Sequence, residues 1–229
     1  MSQSRVLLVL LLLIYAVLGT LFAIRTPAWQ APDEPAHYNY VAQVAANGCC
    51  PLLEAGDWDS PYLETLKSAH FAPELLGDLP AVQYEDHQPP LYYLLASLVF
   101  KLTSGSLVAL RLFSILIGAG VVLGAYAVGK ALLPAQPQVA LGAAALVAFV
   151  PQHVAMLAAV NNDGLAELVV ALALWLTIRY LKTDEVKAWQ LGIIVGIGLL
   201  TKLSTIFLVV LVPLGILLKW WLARRNAES

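Results

Sequence analysis

The sequence predicts an all-α fold: a polytopic membrane helix bundle of about six transmembrane spans, with a large outer loop containing juxtamembrane helices. Three observations carry this. Hydrophobic residues make up 60% of the 229 and charged residues only 12%, against about 25% charged in an ordinary soluble domain. The mean hydropathy is +0.77, which is more apolar surface than a soluble core of this size can hide. Long uncharged stretches recur from end to end. The same figures exclude a disordered chain, which needs high charge, and a nucleic-acid binder, which needs a basic surface that a net charge of −2 does not provide. Two cysteines, the neighbours Cys49 and Cys50, make no disulfide framework. The length fits a single membrane domain over residues 1–229.

The first span covers residues 6–24, with no charge inside it. At about 1.5 Å per residue it crosses a hydrocarbon layer of roughly 30 Å. It is longer than the apolar region of a signal peptide, so a retained anchor is expected. Residues 25–104 form the outer loop. Its first part, Arg25 to Asp86, holds ten acidic residues against two basic ones, a net −8, while the rest of the chain carries +6. One helix reads clearly there, Glu34 to Ala46, ended by Asn47-Gly48. Prolines and glycines then predict short helices and turns. Leu91–Leu102 is too short to span and starts at Pro89-Pro90. With Tyr92 and Tyr93 it reads as an interfacial segment.

Five further spans occupy residues 105–222: Leu107–Leu133, Val139–Val160, Leu165–Leu181, Leu191–Leu200 and Ile206–Leu222. Residues 223–229 form a tail. With Leu91–Leu102 at the surface, both termini lie in the cytoplasm. That side then receives Arg5, Lys130, Arg179, Lys182, Lys187, Lys219, Arg224 and Arg225. Making Leu91–Leu102 a span would turn the Arg179–Lys187 cluster and the basic tail outward, against the positive-inside bias. The six-span arrangement has a chemical consequence. The acidic loop, His87, the Asn161-Asn162-Asp163 turn and Lys202 all fall at the outer face.

Asp33, Glu34 and His37 follow the first span. Asp33 suits an N-cap and Glu34 the positive end of the helix. The same residues suit general-base work at the membrane surface, and Asp, Glu and His can all ligate a metal. His87 lies where the chain re-enters the membrane, as a surface histidine or as a substrate contact. Asp163 begins a span at a tight turn, and Glu167 sits one turn deeper, with Arg111 or His153 as partner. An ionisable residue at that depth is by default a functional candidate. Lys202, in the Thr201-Lys202-Leu203-Ser204 turn, works against the charge bias. It either snorkels or holds an anionic headgroup or phosphate. Arg111 suits a phosphate through its planar fork.

Taken together these segments resemble the GT-C superfamily of membrane glycosyltransferases, nearest the protein mannosyltransferase and lipid A aminoarabinose transferase group. Pro32-Asp33-Glu34 resembles the acidic motif of the first outer loop. His87-Gln88-Pro89-Pro90-Leu91-Tyr92-Tyr93 resembles the His-x-x-Pro-Pro-Leu-Tyr-Tyr element with one fewer spacer. Arg111-Leu112-Phe113-Ser114, running on to Tyr126-Ala127-Val128-Gly129-Lys130, resembles the Arg-Leu-Pro-Ser span, with Phe113 in place of proline. Asn162-Asp163 and Thr201-Lys202 resemble the second-loop acid and the Thr-Lys turn. Relatives are commonly longer, so the match reads as an N-terminal membrane module: a truncated gene, a minimal core, or a subunit whose further spans come from a partner membrane protein.

The resemblance implies inverting transfer of a sugar from a polyprenyl-phosphate lipid to an acceptor on the outer face. Membrane lipids are then the surroundings, nucleic acid has no part, and no cofactor is needed, although the residue types would tolerate a divalent metal. Asp33 is the implied base, helped by burial beside Glu34. Lys202 and Arg111 neutralise the leaving phosphate, and His37, His87 and Asp163 orient substrate hydroxyls. A non-catalytic subunit of a larger membrane complex and an outward-facing metal-dependent hydrolase remain as alternatives.

Overall fold

The structure is a computed structural model that describes residues 3–227, all of whose regular elements are helices. Helix α1 (Gln3–Arg25) is an uninterrupted apolar rod that stops before Thr26-Pro27, where proline disfavours helix in the preceding residue. α2 (Glu34–Asn47) ends one residue beyond the expected boundary, at Gly48, whose φ of 86° suits glycine. α3 (Ser60–Ser68) and a 3-10 segment (Pro73–Ala81) follow in the long acidic loop after α2. The adjacent cysteines are bonded to each other and tie no distant segments together. α4 (Leu91–Leu102) is the short juxtamembrane helix. Tyr92 and Tyr93 are completely buried in it, rather than facing an interface, and pack with Tyr40, Val41 and Val44 of α2 and Leu110 of the next helix.

That helix, α5 (Leu107–Leu132), is the hub of the bundle. It packs against α1, α4, α6 (Pro137–Phe149), α7 (Pro151–Leu157) and α8 (Asp163–Lys182). Small residues allow the close approach. Ala140, Ala144 and Ala148 form one fully buried stripe on α6, and an added Cβ on Gly129 would stand 2.8 Å from the Ala140 Cα. Such packing suits a lipid environment, where close van der Waals contact takes over from hydrophobic exclusion. The outward faces keep exposed Leu13, Val17, Leu116, Leu146 and Leu217, as a lipid-facing surface requires. α9 (Ala188–Thr201), a 3-10 turn (Leu203–Phe207) and α10 (Leu208–Ala227) complete the chain.

Among the described residues, four segments are long and apolar enough to cross a membrane: Gln3–Arg25, Leu107–Leu132, Asp163–Lys182 and Leu203–Asn226. The expected continuous span over Val139–Val160 is corrected: α6 and α7 meet at a 69° bend. Pro151 is the cause, since it offers no N–H and pushes Val150 into extended backbone (ψ 113°). Counted as one broken span, the bent pair brings the candidate crossings to five among the described residues. α9, at 14 residues, is short for a sixth, matching the brevity of Leu191–Leu200.

Contacts between helix ends define two poles. Arg111 reaches the end of α1, and Lys202 at the end of α9 reaches Asp163 at the start of α8. At the other pole, Lys182 donates to the Ala131 and Leu132 carbonyls, and Lys219 to those of Tyr180 and Thr183. The alternation deduced from charge therefore groups the same residues that touch.

The α5–α6 contact yields a prediction. Gly129→Ala places a methyl against backbone that cannot rotate away and should destabilise the protein by about 1–3 kcal/mol. Gly142→Ala meets nothing within 4 Å and should be neutral or slightly stabilising, as alanine's helix propensity implies. Denaturant unfolding in mixed micelles compares the two.

Candidate active site

The turn from α1 into α2 sends two neighbouring carboxylates in opposite directions. Asp33 adopts a left-handed backbone (φ 57°, ψ 4°), a conformation Asp tolerates better than most residues. Its side chain does not cap α2. It is exposed, and its Oδ1 accepts a 2.7 Å hydrogen bond from the Tyr84 hydroxyl. Glu34 turns inward and is fully buried. The expected burial of Asp33 beside Glu34 is thus corrected: the two side chains share no environment.

Glu34 meets Arg111 in a two-pronged ion pair. Arg111 Nε donates to Oε1 at 2.8 Å and Nη2 to Oε2 at 2.6 Å. Nη1 also donates to the Ala23 and Thr26 carbonyls, and Nη2 to that of Pro27. Guanidinium has five N–H donors, and these five bonds use them all. The carboxylate further accepts from the Trp29 and Val160 backbone amides. Arg111 therefore has no donor free for a phosphate, and Glu34 has no free oxygen edge for a reacting proton. Geometry makes both of them positioning residues.

The other expected residues converge around His37. Its Nδ1 lies 2.8 Å from the Tyr93 hydroxyl, and the two rings stack. Burial pushes the imidazole down from 6.5 to about 3. Lys202 and His87 act in the same direction and Asp33 against it. Burial thus favours the neutral ring, and Lys202, His87 and Asp33 are the charges that act on it. Lys202 Nζ donates to Asp163 Oδ1 at 2.6 Å, with both side chains partly open. His87 is exposed, with Nδ1 2.9 Å from the Tyr84 carbonyl. Asn162, fully buried, donates to the Gln88 side chain and the Thr201 carbonyl, joining the α8 start to the α4 entrance and the α9 end.

Two residues of the Tyr84–Tyr93 stretch have roles that sequence reasoning missed. Tyr84 holds Asp33. Glu85 is half-buried, and burial raises its carboxyl, with Gln88, His87 and Lys202 opposing and Asp33 reinforcing. Glu85 therefore belongs to the same electrostatic cluster. Its place beside His87 was the available signal. Asp86 turns away to Gln43, and burial raises it to about 6. Glu167, one turn below Asp163, pairs with His153 at 2.7 Å and not with Arg111.

Two hollows flank the cluster. A cleft of about 280 Å³ beside Asp33 is walled by Trp29, Leu63, Lys67, Phe71 and Tyr84. A groove of about 400 Å³ begins at Asp163, Glu167 and Ser204 and descends α8 past Val170 to Leu174, roughly 16 Å at 1.5 Å per residue. Among the described residues, no three His, Cys, Asp or Glu side chains are grouped so as to hold a metal ion.

These features define a class: a polytopic helical membrane protein with an acid-, histidine- and lysine-lined site at one pole, set between a polar cleft and an apolar groove. The dolichyl-phosphate-mannose-protein mannosyltransferase family model matches residues 87–227, more than half of the chain, and the chain belongs to that family. It is accordingly a membrane glycosyltransferase of the GT-C superfamily type. No curated protein and no solved structure matches it. The matched stretch contains His87, Arg111, Asp163 and Lys202, while Asp33, Glu34 and His37 precede it.

Two predictions follow from this geometry. Glu34→Gln or Arg111→Met alone should destabilise by about 3–5 kcal/mol, and the double replacement by clearly less, because each single change leaves a buried charge unpaired. A double-mutant cycle of unfolding in micelles measures this. For His37, the unfolded chain takes up a proton between pH 6.5 and about 3 that the folded chain refuses. Stability should therefore fall as pH drops through that window, and His37→Gln should flatten that part of the pH–stability curve.

Proposed function

We propose that this glycosyltransferase takes its sugar from a polyprenyl-phosphate donor and passes it, with inversion, to an acceptor hydroxyl at the outer face. One observation carries the reading. Asp33 and Lys202, the latter paired with Asp163, both act electrostatically on one buried histidine, with an aromatic cleft beside Asp33 and an apolar groove beside Asp163. That is the arrangement required to hold an acceptor against a lipid-borne donor.

The acceptor lies in the cleft, where the Trp29, Phe71 and Tyr84 rings suit a sugar or peptide face. The donor's isoprenoid tail lies along the groove, and its phosphate beside Lys202. The acceptor oxygen bonds to the anomeric carbon from the face opposite the phosphate. The bond from that carbon to the phosphate oxygen breaks, and polyprenyl phosphate leaves. Asp33, oriented by the Tyr84 hydroxyl, takes the acceptor proton. Lys202 meets the charge developing on the leaving phosphate, with Asp163 fixing the ammonium until the donor arrives. His37 contributes a neutral hydrogen-bonding edge, and His87 a contact to substrate hydroxyls from the exposed rim. Glu34 and Arg111 set the turn that presents Asp33. The charge bias supports cytoplasmic termini and an outward site.

Asp33→Asn should lower transfer in membranes by about 10²–10⁴-fold, the usual worth of a positioned base, with fold and donor binding retained. Lys202→Gln should lower kcat by about 10²–10³-fold. Glu85→Gln serves as the comparison: if turnover depends on Glu85 and survives Asp33→Asn, Asp33 is not the base. Full turnover in both Asp33→Asn and Glu85→Gln, with a stoichiometric membrane partner in the preparation, would move the chemistry to that partner.

A further inference from the structure

We propose that the pole opposite Asp33 carries a second site, for the phosphate of an anionic membrane lipid. A cavity of about 550 Å³ lies between the last turns of α5 and α8. Tyr126 and Trp175 supply its aromatic walls, and Lys130, Arg179 and Lys182 its charge. The Tyr126–Lys130 stretch, singled out in the sequence, has no part in the chemistry at the other pole.

Each aromatic ring carries its own cation. Lys130 Nζ lies 5.9 Å from the Tyr126 ring centre, and the Arg179 guanidinium 5.7 Å from that of Trp175. The cations are not equally occupied. Lys182 is held by the Ala131 and Leu132 carbonyls, which close one end of the cavity. Arg179 is paired with Glu185 through Nη2, while its Nε is shielded from solvent and has no hydrogen-bond partner among the described residues. The Tyr126 hydroxyl is in the same condition. Lys130 makes no hydrogen bond or ion pair among the described residues beyond its ring contact. Two donors without acceptors and one uncommitted ammonium therefore belong to the walls of a single cavity. An oxyanion supplies the acceptors they lack, and a guanidinium edge matches a phosphate better than any neutral group.

The setting identifies the source of that phosphate as a lipid. α5 and α8 both cross the apolar layer, so a hollow between their ends sits at headgroup depth, where Trp and Tyr also belong. Ala127, Ala131 and Ile178 supply apolar wall beside the charges, as the glycerol and first acyl carbons require. Around it this pole gathers Lys187, Lys219, Arg224 and Arg225, against Asp184 and Glu185 alone in the adjoining connection. Those two acids are already paired, with Lys219 and Arg179. The excess of positive charge favours an anionic leaflet. The site is independent of the transfer chemistry and does not need an intact Asp33.

Native mass spectrometry of the whole protein, released from micelles containing equal amounts of phosphatidylglycerol and phosphatidylcholine, tests this. The wild type should retain phosphatidylglycerol in preference to phosphatidylcholine by about tenfold or more, given two available cations near the headgroup. Lys130→Gln with Arg179→Gln should abolish the preference. Tyr126→Phe, which removes one hydroxyl and leaves the fold alone, should weaken it several-fold. Lys67→Gln, at the other pole, should leave it unchanged. Equal retention of the two lipids, or an unchanged preference in both the double variant and Tyr126→Phe, overturns the proposal. So does displacement of the lipid by millimolar inorganic phosphate, which would mark a site for the free anion.

Discussion

The buried pairing of Glu34 with Arg111 is the interaction on which the site depends. It joins the last turn of α1, the Trp29 turn, the first residue of α2, the beginning of α5 and the Val160 backbone before α8. Burying two charges is costly, and a pair like this repays the cost only when every donor and acceptor is matched. Here all five guanidinium donors are. Net stabilisation over an apolar replacement need not be large. What the pair adds is register, because only one relative placement of these segments satisfies it. Asp33, the next residue back, is presented to the surface as a consequence of where Glu34 is anchored.

Much of the fold was legible because membrane insertion imposes so strong a pattern on sequence. Uncharged runs of span length located α1, α5, α8 and α10. The asymmetry of lysine and arginine then sorted their ends into two poles that the contacts reproduce. The bounds of α4 followed from its short apolar run and the paired prolines before it. Two features escaped for physical reasons. Pro151 sits inside an apolar run that hydropathy reads as continuous, yet its missing N–H and its effect on Val150 divide that run into α6 and α7. Tyr92 and Tyr93, read as interface anchors, are wholly buried because α2 folds down over α4, and loop-to-helix packing leaves no periodic trace in the loop sequence.

The site was legible as a set of residues but not as a set of roles. Sequence proximity suggested that Asp33 and Glu34 act together, and that Arg111 and Lys202 both serve phosphate. Residue type could not reveal that Arg111 is saturated while Lys202 is only partly engaged. That distinction depends on contacts between segments 77 and 39 residues apart. The converse also holds. Tyr84 and Glu85 gave no strong signal of their own, yet they face Asp33 because the 3-10 segment and α3 wrap the acidic loop back over the α1–α2 turn.

In the proposed mechanism, the electrostatics of the cluster bear on how the site accepts an anionic donor while keeping a carboxylate ready as base. His37 is the pivot. A protonated imidazole there would add positive charge near Lys202 and draw on Asp33, and burial disfavours it. Asp33 and Lys202 both act on the ring, and their side-chain hydrogen bonds go elsewhere. Lys202 takes Asp163 as its counter-ion instead, and Asp33 takes only the neutral hydroxyl of Tyr84. In that mechanism a phosphate arriving along the groove competes with a carboxylate that is itself partly solvated. The exchange costs less than desolvating a free ammonium, because water screens Asp163 once it is released. On the proposed reading, Asp33 with Tyr84 and Lys202 with Asp163 divide acid–base chemistry from phosphate recognition at one end of a small bundle, and the buried His37 ring adds no charge to either.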